Sequence, residues 1–139
     1  MTKRVKASKD QNLNLDARFE IVATILYLHH HHKQGVHTRI IQNVILNEWV
    51  YAGKSLSGSG YMEHVVPLSV LVKKSKKMFL DGGTIDDVKA YLKRNLKVVE
   101  ISREEADRMK KAPISLKTTM PVDWDEEDPY ARLTAAQIR

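Results

Sequence analysis

Apolar residues recur along this chain at two spacings, and the change from one to the other marks where one kind of element gives way to the next. Phe19, Val22, Ile25, Leu26 and Leu28 keep on or near one stripe of a helix that Asp16 can cap, so a helix is predicted over residues 16–33, closed by Gln34-Gly35. Ile41, Val44, Ile45 and Trp49 repeat the pattern over residues 38–51, and the short connection sets the two helices antiparallel. A loop rich in glycine and serine, residues 53–60, leads to Glu63-His64-Val65-Val66-Pro67. There the β-branched pair favours extended backbone, and the proline, lacking an N–H, ends the ladder. Residues 68–80 return to helical spacing, with Leu68, Leu71, Val72 and Phe79 on one side and Lys73, Lys74, Lys76 and Lys77 on the other. Asp81-Gly82-Gly83 breaks that helix, and Thr84 caps another over residues 85–95 whose inward face is Val88, Tyr91 and Leu92. Residues 96–101 form a second strand candidate. Ser102-Arg103-Glu104-Glu105 has the form of a capping box opening a helix over 103–111, which ends before Pro113. Pro121 and Pro129 bound a loop, and residues 130–138 form a short terminal helix.

These elements imply an α+β, mostly helical fold in one domain over residues 16–139. Residues 16–53 make a helical scaffold, 60–111 a strand–strand–helix core with a helical insertion, and 112–139 an acidic tail. Residues 1–15 carry Lys3, Arg4, Lys6 and Lys9 against Asp10 alone, which reads as a basic flexible arm. At 139 residues the chain suits one domain with a real core, and 42% hydrophobic content argues against disorder. No apolar stretch reaches the length of a membrane span, and no apolar core follows the basic N-terminal residues as a secretory signal requires. The absence of cysteine removes disulfides and thiolate metal sites and suits a cytoplasmic protein. A net charge of +6 favours an anionic partner.

The chemistry concentrates at Glu63 and His64. Neighbouring side chains on a strand point to opposite faces, so one can hold a metal while the other meets a substrate. A buried edge strand whose histidine merely satisfies a hydrogen bond is the plainer alternative. The order of an acid-His strand, a second strand and a capped helix resembles the HNH endonuclease family, with its ββα-metal site. Glu63-His64-Val65-Val66-Pro67 matches the first element, Val99-Glu100-Ile101-Ser102-Arg103 the second, and Asp107 falls where the family's last polar ligand stands on the helix. The resemblance implies a nuclease that hydrolyses DNA phosphodiester bonds. His64 would be the general base, and Glu63 and Asp107 would hold one divalent ion, magnesium or manganese. Two features depart from the family pattern. The usual asparagine that orients the histidine has no clear counterpart, Asn95 being the nearest, and a long helical insert separates the strands. They motivate the alternative of an inactive HNH-like module that binds nucleic acid or blocks another protein, as a phage- or plasmid-type accessory factor would.

Lys73, Lys74, Lys76 and Lys77 are the candidate nucleic-acid contacts, because backbone phosphate binding is driven by charge and blind to sequence. A solvated helix face is the alternative. Asp123, Asp125, Glu126, Glu127 and Asp128 surround Trp124. This loop can be pinned by Trp124 with its acids in water, can fold over the lysines, or can meet a protein partner; it lacks the spacing of a calcium loop. His29-His30-His31-His32 places only His29 and His32 on one helical face, with His37 just beyond, and no further ligand completes a structural zinc site. A surface role near a helix C-terminus is favoured. No P-loop, dinucleotide fingerprint or Ser-His-Asp order is present.

Overall fold

The computed structural model describes residues 9–139. Helix α1 (Lys9–His31) buries Phe19, Val22, Ala23 and Leu26, one stripe at the i, i+3, i+4, i+7 spacing. It begins earlier than the sequence suggested. Residues 9–15, expected in the flexible arm, continue the helix, and the rest of that arm lies outside the described residues. Asp16 is therefore inside α1, not at its cap, and its carboxylate accepts from Lys89 at 2.8 Å and Lys93 at 2.7 Å. These two ammonium groups pull its pKa down to about 2. The other end of α1 closes on Lys33 rather than on the glycine. Lys33 adopts φ 55°, its N–H donates to His30 O, and the Gln34 N–H reaches back to His29 O at 2.8 Å.

The helix expected over 38–51 divides into three pieces. Helix α2 (Arg39–Val44) ends where Ile45 turns extended, a 3-10 turn covers Asn47–Val50, and strand β1 (Tyr51–Lys54) follows. The β-branched residues Ile40, Ile41, Val44 and Ile45 weaken the helix there, and Gly53 at φ 132° had disguised the strand as loop. Strand β2 (Tyr61–His64) is followed by Val65 and Val66, both fully buried. Helices α3 (Leu68–Leu80) and α4 (Ile85–Asn95) occupy their predicted spans, and Thr84 and Asp87 complete a capping box at the start of α4. Strand β3 (Val98–Ile101) leads into α5 (Arg103–Lys110), and α6 (Ala131–Ala135) is shorter than predicted.

The sheet runs in the order β1-β3-β2. β2 pairs antiparallel to β3, with Glu63 opposite Val99 and His64 opposite Val98, while β1 runs parallel to β3. Helices α1, α3 and α4 pack on one another, and α5 meets both β2 and α6. One apolar cluster joins the layers, from Val22 and Leu26 through Leu71, Val88 and Leu92 to Ile101, Met109 and Leu133. Trp124 packs partly buried against this cluster, pinning the acidic loop as its sequence suggested. Among the described residues no helix is long and apolar enough to cross a membrane.

Candidate functional site

Strand alternation gives Glu63 and His64 different surroundings. Tyr61 and Glu63 face α5 and α6, and Met62 and His64 face the other way. On the α5 side the Glu63 carboxylate is enclosed by cations. Oε1 accepts from Lys110 Nζ at 2.7 Å, and Oε2 from Arg132 Nη2 at 3.0 Å. Lys110 also donates to the Tyr61 hydroxyl at 2.7 Å and lies over its ring, 4.8 Å from the centroid. Burial works against the Lys110 ammonium, yet its hydrogen bonds to Glu63 and Tyr61 outweigh that cost and raise its pKa. Arg132 is fully buried, which lowers its pKa against the opposing attraction of Glu63. Its guanidinium donates to the carbonyls of His64, Val65, Leu116 and Lys117 as well as to Glu63. Those five acceptors match the five N–H groups of an arginine side chain. The result is a closed ionic knot that ties α5, α6 and the loop after α5 to β2.

Asp107 stands on α5 half-buried, with carboxylate oxygens 3.9 Å from Arg103 Nε and 3.6 Å from Lys111 Nζ. Both of the expected metal ligands therefore already face cations. Among the described residues no three His, Asp or Glu side chains converge as a metal-binding group. The residues as placed do not fit a divalent ion. A dication about 4 Å from Lys110 or Arg132 would meet roughly 8 kcal/mol of repulsion from each at an effective dielectric near 20. Lys110 and Arg132 already supply the positive charge that an ion would bring.

His64 is half-buried on the opposite side of the sheet from Glu63. Burial depresses its pKa first, Arg132 depresses it further, and Glu63 opposes both, so the imidazole is neutral near pH 7. Asn95 does not serve as its orienting partner. That side chain is fully buried and donates from Nδ2 to Tyr91 O within its own helix, leaving Oδ1 without a partner.

The four lysines of α3 separate by face. Lys74 pairs with Glu126 of the acidic loop at 2.9 Å, and Lys77 with Asp81 at 3.5 Å. Lys73 and Lys76, three apart, open instead on a cavity beside the end of α1. The acidic loop thus reaches one lysine of the cluster and leaves two open.

Sequence reasoning found Glu63 and His64 but missed Lys110 and Arg132. One signal for Arg132 was available: a lone cation among Ala131, Leu133, Ala135 and Ala136 on a short apolar helix needs a buried counter-charge. Compared with protein-family models, curated proteins and solved structures, the chain matches none.

Proposed function

We propose that this chain is a nucleic-acid-binding module built on a strand–strand–helix core, which retains nucleic acid without hydrolysing it. The observation that carries the reading is the pairing of Glu63 with both Lys110 and Arg132. A carboxylate committed to two fixed cations is a structural group, and hydrolysis would need it free to ligate. The net charge of +6 and the open Lys73 and Lys76 supply the attraction to phosphate. An HNH-like nuclease is the second reading. Its support is the succession β2, β3 and capped α5, together with a neutral imidazole at His64 able to accept a proton.

A plasmid-nicking assay run beside a gel-retention assay separates the two. With magnesium, manganese or a chelator present, we expect retention of DNA at equal strength and no nicked product. Cleavage that the chelator stops, and that His64→Ala abolishes without loss of DNA retention, would overturn the binding-module reading in favour of the nuclease.

A further inference from the structure

The cavity between the end of α1 and α3 joins the histidine run to the lysine cluster. Its volume is about 820 Å³, and among the described residues no acidic side chain lines it. Lys33 stands on it from the turn after α1, and Lys73 and Lys76 from α3. Its aromatic wall is already layered: His30 stacks on Phe79 with centroids 5.8 Å apart, and Tyr27 stacks on His31 at 5.9 Å. Tyr27 also meets the Phe79 ring edge-on at 5.4 Å and keeps 36% of its surface exposed. The turn that ends α1 places Lys33 here at the expense of a left-handed backbone, where a glycine would be the easier choice.

We propose that this groove holds a single-stranded nucleic-acid segment, with phosphates at Lys33, Lys73 and Lys76 and a base stacked on the Tyr27–His31 wall. The inference rests on the nucleic-acid-binding reading above and names the form of nucleic acid and where it sits. Two physical features choose this occupant. The three cations, with no described acid among them, favour a polyanion over a neutral or basic ligand. The partly exposed Tyr27 ring favours a flat π-face, which every unstacked base offers and an acidic peptide offers only where it carries an aromatic residue. A duplex keeps its bases stacked inside and presents mainly phosphates and groove edges, so it would leave the aromatic wall unused. A cavity of this size falls within the range of small-ligand sites, room for about one or two nucleotides with the strand continuing past it.

Fluorescence anisotropy tests this with a labelled oligothymidylate of about a dozen nucleotides, within the span of known single-strand grooves, and with a labelled duplex of equal length. The full chain should bind the single strand about tenfold tighter than the duplex. The pair Lys73→Glu and Lys76→Glu should lose about tenfold or more, and the pair Lys74→Glu and Lys77→Glu less than about threefold. Tyr27→Leu, which keeps the apolar contact with Phe79, should weaken single-strand binding about fivefold and leave duplex binding unchanged. If the two lysine pairs matter equally, or Tyr27→Leu changes nothing, the groove assignment falls while nucleic-acid binding stands. If the parent chain retains neither probe, both fall. Displacement of the oligonucleotide by polyglutamate as readily as by unlabelled strand would overturn the proposal in favour of an acidic peptide.

Discussion

Replacing Glu63 by glutamine leaves the charges of Lys110 and Arg132 close together with no anion between them. Breaking a buried pair by removing one partner costs about 3–5 kcal/mol, and the low end applies because Lys110 keeps some exposure to water. We expect Glu63→Gln to lower the melting temperature by about 10 °C in chelator. An unchanged melting temperature in chelator would mean that the two cations do not depend on Glu63. His64 gives a second prediction at this scale. Its folded pKa lies below the ordinary 6.5 because it is buried, so the unfolded chain takes up the proton first as pH falls. The stability that neutral His64 contributes is complete above about pH 6.5 and is lost as pH drops through the folded value. Urea denaturation at stepped pH should therefore show a shallower decline below about pH 6.5 for His64→Asn than for the parent, and matching slopes would argue against burial of the imidazole. The acid-histidine pair was legible in the sequence because it is local. Its cationic partners were not, since Arg132 meets Glu63 across 69 positions and helical or strand periodicity carries no information over that span.

Elements whose ends are set by their own side chains were the readable ones. α4 and α5 each open on a capping box that closes in both directions, Thr84 with Asp87 and Ser102 with Glu105. Ser102→Ala should cost about 1 kcal/mol in chemical denaturation, and Thr84→Ala should cost less. The difference arises because Glu105 also accepts from the Ser55 hydroxyl at 2.6 Å, so loosening it disturbs the end of β1 too. Equal losses at the two caps would show that this link carries no weight. The segment after α1 was misread for the opposite reason. Its apolar residues have helical spacing, yet β-branching and pairing with β3 divide it into helix, turn and strand, and only the pairing decides where. At the end of α1, Lys33→Gly should relieve the left-handed strain and raise stability by about 1 kcal/mol. The same change should weaken oligonucleotide binding. A variant that is more stable and binds equally well would separate Lys33 from the groove.

Across the whole molecule, charge is sorted rather than spread. Asp16 holds Lys89 and Lys93, Glu126 holds Lys74, and Asp81 holds Lys77, while Lys33, Lys73 and Lys76 share a surface that no acid among the described residues lines. If those three meet phosphates, the logarithm of single-strand affinity should fall against the logarithm of salt with a slope of about −2. Lys76→Ala should make that slope shallower by about 0.7, and a slope near zero would remove the electrostatic basis of binding. Composition alone revealed the sign of the net charge, but its sorting depends on how α3 turns its lysines: Lys74 to the acidic loop, Lys77 to Asp81 at the helix end, and Lys73 and Lys76 toward α1.

Helix α6 follows in the chain every group that Arg132 satisfies. During synthesis the Glu63 carboxylate and the carbonyls of Val65 and Leu116 emerge before Arg132 and remain hydrated until α6 packs against them. The Glu63 site closes only when α6 docks. A nascent chain stalled short of α6 exposes a half-neutralised acid to whatever cation its surroundings offer.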